Sequence, residues 1–260
     1  MSTTHAPPAP ASAPSRPTAA IVLAAAAVLV QMVFPFTDGG TLALTAASVV
    51  LLAGAALAHA LTSYGARTAG ALLLVAGGGG WVAEVAGVHT GVPFGDYSYS
   101  GTLGLELGGV PALVPLAWVM MAWPALHVAR LVTSGRAAWV TVAVGAWALT
   151  AWDVFLDPQM VDAGHWTWAN PHPHLPGVDG IPLTNFAGWL VVSMLMMAVL
   201  HALVPRGPVP ALPVAVYLWT YFSSVLAHAV FFGRPPVALV GAVVMGVVAV
   251  PAAVRWARAR

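Results

Sequence analysis

The chain has 260 residues, of which 60% are hydrophobic and only 7% are charged, and its net charge is +1. A soluble domain carries about 25% charged residues, so this composition excludes a soluble globular protein and indicates several membrane-spanning helices. The near-neutral charge argues against a nucleic-acid partner. The absence of cysteine excludes disulfides, thiolate metal sites and a cysteine nucleophile.

The first 17 residues are mostly Pro, Ala, Ser and Thr. Such a segment has too few apolar side chains to bury a core, so we predict a disordered tail over 1–17. The apolar run that begins at Thr18 is long enough to cross a membrane. We therefore interpret it as a spanning helix and not as a cleaved signal peptide.

A spanning helix needs about 20 predominantly apolar residues. Eight runs qualify: 18–36, 42–63, 69–88, 110–130, 137–156, 182–204, 211–232 and 235–254. The sequence thus predicts an all-α membrane bundle that forms a single domain over 18–254, followed by a basic tail at 255–260. The first two helices contain no acidic or basic residue, and we interpret them as packing helices.

Arginine positions predict the orientation of this bundle. Eight of the nine basic residues fall on one side: Arg16, Arg67, Arg130, Arg136, Arg206, Arg255, Arg258 and Arg260. Cytoplasmic loops carry the excess of arginine, so we predict a multi-pass protein of the cell membrane with both termini in the cytoplasm. All eight acidic residues fall on the opposite side. That side also carries the two long loops, 89–109 and 157–181.

The two long loops resemble each other. Each contains an aromatic-x-aromatic triplet and is followed by a Gly-[Val/Ile]-Pro segment that opens the next helix and by a tryptophan seven residues beyond that proline. The members are Tyr97 and Tyr99 with Trp118 in one region, and Trp166 and Trp168 with Trp189 in the other. One interpretation is a weak repeat of helices three–four and five–six, with a site at its interface. Chance similarity between two short motifs is the alternative.

Glu84 lies inside predicted helix three, and Asp153 and Asp157 lie near the end of predicted helix five. Intramembrane acids are functional by default, and a carboxyl group near hydrocarbon either pairs or takes up a proton. We expect neutral carboxylic acids that can donate a proton. Asp153 and Asp157 are four residues apart and so share a helix face. An alternative for Asp157 is that it simply ends helix five together with Pro158.

The aromatic residues near this side have two interpretations. Tryptophans at a membrane interface form a belt, whereas π-faces turned inward can stabilise a cation. Tyr97 and Tyr99 can also donate hydrogen bonds. The histidines, including His89 just after helix three, match no metal-ligand spacing, so we predict no metal.

Three stretches carry a resemblance: W-V-A-E-V-A-G-V-H-T-G-V-P-F-G-D-Y-S-Y-S at 81–100, G-V-P-A-L-V-P-L-A-W-V-M-M at 109–121, and D-V-F-L-D-P-Q-M-V-D-A-G-H-W-T-W with G-I-P-L-T-N-F-A-G-W within 153–189. Together they resemble the CruF-type integral-membrane carotenoid biosynthesis proteins, which are carotenoid hydratases that include bisanhydrobacterioruberin hydratases. The resemblance covers about 81–197.

This resemblance implies that water is added, without a cofactor, to the terminal C=C of an acyclic carotenoid end. The implied acids are Glu84, Asp153, Asp157 and Asp96. The implied substrate-binding residues are His89, Tyr97, Tyr99, Trp118, Trp166, Trp168, Asn185 and Trp189, with water held by Asn185, His89 or Asp96. The implied partners are the carotenoid, the lipid bilayer and other membrane enzymes of the pathway. The alternatives are a carotenoid isomerase, a partner of a desaturase or elongase, a transporter or channel, and a non-catalytic scaffold.

Overall fold

A computed structural model of the protein describes residues 17–37 and 41–259. The predicted disordered tail, apart from Pro17, lies outside the described residues, as do Asp38 and Arg260.

Eight helices in the described part of the chain are long and apolar enough to cross a membrane. They are α1 (Thr18–Phe36), α2 (Leu42–Tyr64), α3 (Ala66–Thr90), α4 (Leu113–Val132), α5 (Ala138–Asp162), α6 (Leu183–Leu203), α7 (Ala211–Phe231) and α8 (Pro235–Arg258). The predicted all-α bundle of eight spans is confirmed. Two helices carry a π-helical segment, Leu73–Gly78 within α3 and Ala227–Phe231 at the end of α7.

Helix α5 extends six residues beyond its predicted end at 156. The interpretation that Asp157 and Pro158 end this helix is wrong, because Pro158 lies within it. Proline removes one backbone N–H and so one helical hydrogen bond. The last turn is still closed by bonds from the amides of Ala163 to the Gln159 carbonyl (3.1 Å) and of His165 to the Met160 carbonyl (2.9 Å). Asp157 therefore lies within the helix.

Helices α4 and α5 form the centre of the bundle. Helix α5 packs against α4, α6 and α8, and α4 also packs against α2. Large side chains at these contacts, including Trp118, Trp123 and Phe155, are almost completely buried. Helix α1 is peripheral and packs mainly along α2.

The long loops contain six short strands that form three antiparallel pairs. They are β1 (Tyr97–Tyr99), β2 (Glu106–Leu107), β3 (Val110–Pro111), β4 (Trp166–Trp168), β5 (His174–Leu175) and β6 (Val178–Pro182). Strands β2 and β3 pair within the first loop, and β5 and β6 pair within the second.

Strands β1 and β4 join the two loops to each other. In their antiparallel register Tyr97 lies opposite Trp168, and Tyr99 lies opposite Trp166. Further backbone bonds extend the pairing, from the Ser100 amide to the His165 carbonyl (3.0 Å) and from the Ala169 amide to the Asp96 carbonyl (2.9 Å). The two aromatic-x-aromatic motifs of the sequence are therefore direct partners.

Candidate active site

Glu84 lies on α3 one turn and a half before its end and is only 4% exposed. Its Oε2 accepts hydrogen bonds from the hydroxyls of Tyr97 (2.6 Å) and Tyr99 (2.9 Å). Its Oε1 accepts one from the indole N–H of Trp118 (3.1 Å). Strand β1 and helix α4 thus supply three donors to one buried carboxyl group.

Two glycines of α3 make this arrangement possible. A Cβ atom at Gly80 would lie 2.6 Å from the ring of Trp118. A Cβ atom at Gly87 would lie 2.8 Å from Phe94 and 3.0 Å from the ring of Tyr97. Contacts this short do not occur in real structures, so only glycine lets these rings lie against the helix on either side of Glu84.

Asp153 and Asp157 form a second buried group, one helical turn apart on α5. The amide nitrogen of Asn185, on α6, donates to Asp153 Oδ2 (2.8 Å) and to Asp157 Oδ2 (2.5 Å). The indole of Trp166 donates to Asp157 Oδ1 (3.1 Å). The spacing of four residues predicted that the two carboxyl groups share a helix face, and the shared Asn185 contact agrees with that.

A small chamber of about 80 Å³ lies between these two groups. Glu84, Asp157 and Asn185 line it. Seven aromatic residues form much of the remaining wall: Phe94, Tyr97, Tyr99, Trp118, Trp166, Trp168 and Trp189. Most of the other lining residues are aliphatic or methionine. Asp153 does not line the chamber, but its carboxyl group lies one hydrogen bond away through Asn185.

The rings of this wall contact one another. Trp118 and Trp189 stack with centroids 3.9 Å apart and planes within 12°. Tyr97 stacks on its cross-strand partner Trp168 at 5.7 Å. Trp118 and Trp189 occupy matching positions in the two loop regions of the sequence, as do the paired strands β1 and β4. The two similar regions therefore meet at the chamber, a placement that the repeat interpretation predicts.

Burial and the neighbouring Glu84 together raise the pKa of Tyr97 and of Tyr99 above the usual value for tyrosine. Desolvation of the phenolate is the larger cause in both. Both hydroxyls therefore keep their protons at neutral pH and act as donors to Glu84. Burial also lowers the pKa of His165, so this ring is neutral at pH 7 where it contacts Thr102 Oγ1 at 2.8 Å.

Besides Asp153, two of the candidate residues lie outside the chamber. The side chains of His89 and Asp96 are exposed, and neither lines the cavity. Asp96 contributes through its backbone carbonyl, which accepts a bond from Ala169. Of the three residues expected to hold water, only Asn185 lies at the chamber. Within residues 17–37 and 41–259, no group of three or more His, Asp or Glu side chains is arranged to hold a metal ion.

Sequence reasoning missed several residues of the chamber wall. Phe94 is 1% exposed, and its carbonyl accepts the indole N–H of Trp168 (3.0 Å). Thr45 and Val49 come from α2, which was interpreted as a packing helix only. The other lining residues that sequence reasoning missed are Leu103, Leu113, Val114, Ala117, Met120, Leu156 and Met160. Phe94 could have been predicted, because it lies close to Tyr97 in a loop rich in aromatic residues. Nothing in the apolar sequence of α2 distinguishes Thr45 or Val49 from residues that only pack.

Comparisons with known proteins agree with the resemblance noted above. A family model described as "Carotenoid biosynthesis protein" matches residues 44–248. A bisanhydrobacterioruberin hydratase from Haloarcula japonica is 34% identical over 111 residues, which is 42% of this chain and 36% of that protein. The alignment thus spans about a third of that relative's length. No solved structure matches. The family match covers most of the chain and every residue of the chamber wall, and the chain belongs to the carotenoid biosynthesis protein family.

Proposed function

We propose that this protein hydrates the terminal C=C of an acyclic carotenoid end group to give a tertiary alcohol. The observation that carries the proposal is the chamber, which is lined by two carboxyl groups from different helices, Glu84 and Asp157, and by aromatic rings. Family membership supports a carotenoid as the substrate. The hydratase named among its relatives supports the reaction.

The Asp153–Asp157 pair is the proton donor in this mechanism. The two carboxyl groups share the single amide nitrogen of Asn185 and repel each other when both are charged, so the pair retains a proton. Asp157 is the member that lines the chamber, and it delivers this proton to the less substituted alkene carbon. The π electrons form the new C–H bond, which leaves a tertiary carbocation.

Glu84 is the base. Its three hydrogen-bond donors stabilise a carboxylate, which attracts the carbocation and accepts a proton from the attacking water. A lone pair of that water forms the C–O bond, and its proton passes to Glu84. Asn185 lines the chamber beside Asp157 and positions the water. Transfer of a proton from Glu84 back to the aspartate pair restores the starting state, so the net reaction consumes one water and no cofactor.

The aromatic wall stabilises the cation without reacting with it. Ring faces attract a cation electrostatically, and a desolvated contact contributes about 2 kcal/mol. The substrate is a hydrocarbon that partitions into the bilayer. A chamber enclosed among membrane helices therefore suits both the cation and the substrate.

The test is expression of the protein with a pathway that produces an acyclic carotenoid, followed by mass analysis. We expect a product heavier by one water molecule. Glu84→Gln and Asp157→Asn should each lower product per inserted protein by about 100-fold or more, because each removes one acid–base group. Asp153→Asn should also abolish hydration, because the pair then no longer shares a proton.

A matched control is Asp179→Asn, which makes the same chemical change at an exposed carboxyl group outside the chamber. It should retain wild-type turnover. A product of unchanged mass would contradict hydration and favour an isomerase. Carotenoid that is moved between compartments without any chemical change would favour a transporter.

A further inference from the structure

A second and larger cavity, of about 370 Å³, lies beside the chamber. Side chains of α1, α2, α4, α5 and α7 line it, most of them apolar or aromatic. Its volume falls within the range of about 300–1,000 Å³ that is typical of small-molecule sites. The mechanism above uses none of the residues that belong to this cavity alone.

The larger cavity adjoins the chamber. Five residues line both of them: Thr45, Val49, Met120, Leu156 and Met160. Three of these have flexible unbranched or γ-branched side chains, and methionine in particular adapts to different neighbours. The two cavities are therefore separated by side chains that can change rotamer, and such a partition suits the passage of a chain-like molecule.

The cavity lies close to the outer surface of the bundle between α1 and α7. Helix α1 packs mainly along α2. Two edge-on ring contacts join the end of α1 to the end of α7. The ring centroids of Phe36 and Phe231 are 5.6 Å apart, and those of Phe34 and Phe232, the residue after α7, are 6.1 Å apart. Met32 and Phe36 line the cavity and are also more than half exposed on the outer surface of the bundle. The wall between cavity and bilayer is thus a thin layer of apolar side chains.

We propose that the larger cavity binds the linear polyene chain of the substrate. The chain enters from the bilayer between α1 and α7, and its terminal C=C extends past Met120, Leu156 and Met160 into the chamber. This inference rests on the proposed function. The chamber's 80 Å³ holds the reacting end only, so the conjugated chain behind that end needs an apolar site that begins where the chamber stops. The larger cavity has that position and that lining.

Ser48 offers a matched pair of substitutions to test this site. It lies on α2 at the cavity wall, and its Oγ is buried with no hydrogen-bond partner in the described structure. Ser48→Phe fills the cavity, whereas Ser48→Ala removes one unpaired polar atom and leaves the cavity open. Ser224→Phe fills it independently from α7. Val191→Phe adds the same ring to an exposed position on α6, away from both cavities.

Binding is measured first, in a background that cannot turn over, Glu84→Gln. The readout is polyene retained per purified protein, from its visible absorbance. We expect Ser48→Phe and Ser224→Phe to lower retention about tenfold, which corresponds to about 1.4 kcal/mol. Val191→Phe should retain as much polyene as the background protein, and Ser48→Ala should retain more than Ser48→Phe.

Turnover is measured next, with Glu84 intact, on a long polyene and on a short acyclic alkene with the same terminal group. The filled variants should lose hydration of the polyene and keep hydration of the short alkene, which also shows that they are folded. Equal retention and turnover of the polyene in filled and unfilled variants would overturn the inference. The inference would also be overturned if the filled variants lost bound phospholipid but kept the polyene, because the cavity would then be a lipid site. If the wild type hydrates neither compound, the proposed function fails instead.

Discussion

Trp189 gives the cleanest test of the aromatic wall. It lines the chamber and stacks on Trp118, and its indole N–H bonds to no other described residue. Trp166 is less suitable, because replacing it with Phe also removes the hydrogen bond to Asp157. A change at Trp189 therefore alters ring contacts and removes no hydrogen bond to Glu84 or Asp157.

We expect Trp189→Phe to keep most of the turnover and Trp189→Leu to lose much more. Loss of a desolvated cation–π contact of about 1–2 kcal/mol corresponds to about 5–30-fold in rate. The measurement is hydrated product per inserted protein. Equal rates for Phe and Leu would show that the ring only fills space.

The sequence predicted the individual acids better than their partners. Glu84, Asp153 and Asp157 were identifiable because an acid inside an apolar helix is costly unless it has a use. That Tyr97, Tyr99 and Trp118 all bond to Glu84 was not predictable, because they lie 13 to 34 residues away and tertiary packing brings them together. The exposure of His89 and Asp96 was not predictable from the sequence either, because each lies only two residues after a buried one, Gly87 and Phe94.

At the scale of the element, helix α3 has two neighbouring glycines, of which one lies against a ring and the other faces open space. A Cβ atom at Gly80 would overlap the ring of Trp118, whereas nothing lies within 4 Å of one at Gly79. We expect Gly80→Ala to displace Trp118 from Glu84 and to lower turnover. Gly79→Ala should be neutral or stabilising, since alanine is favoured over glycine in a helix by about 1 kcal/mol. Turnover and thermal stability of both variants decide this, and equal behaviour would contradict the close packing.

The pairing of β1 with β4 can be tested by cross-linking. Ser98 and Thr167 lie directly opposite, and both side chains are exposed. Opposite residues of antiparallel strands have Cα atoms about 4.5–5.5 Å apart, within the reach of a disulfide. The chain has no cysteine, so Ser98→Cys with Thr167→Cys introduces the sole thiols.

We expect mild oxidation of membranes to remove both thiols from this double variant, as measured by maleimide labelling after denaturation. Ser98→Cys with Asn170→Cys is the control, since Asn170 lies beyond the end of the paired strands. Thiols that persist in the first pair would show that the two loops do not meet in this register.

At the scale of the whole molecule, the eight helices followed directly from the length of the apolar runs, with most boundaries correct to within three residues. One exception is α5, which continues through Pro158 although proline commonly ends a helix. Which helices pack against each other could not be predicted from the sequence. Hydropathy alone does not show that α4 and α5 are central, or that α2 reaches the chamber.

Orientation in the membrane remains a prediction from the arginines. The one basic residue assigned to the outer side, Arg234, forms an ion pair with Asp162. With eight spans, Ser134 between α4 and α5 should face the cytoplasm, and Glu106 should face outward. In intact cells, a membrane-impermeant thiol reagent should label Glu106→Cys and not Ser134→Cys. The reverse pattern would invert the topology.

The chamber is covered on its loop side by the rings of β1 and β4, and Tyr97, Trp166 and Trp168 are each less than a tenth exposed. In the proposed function this cover makes the chamber a blind end. A linear polyene must then enter end first and withdraw the same way. A carotenoid with two reactive ends would therefore leave and turn round between its two hydrations. The enzyme would act distributively, and the mono-hydroxylated carotenoid would accumulate before the diol.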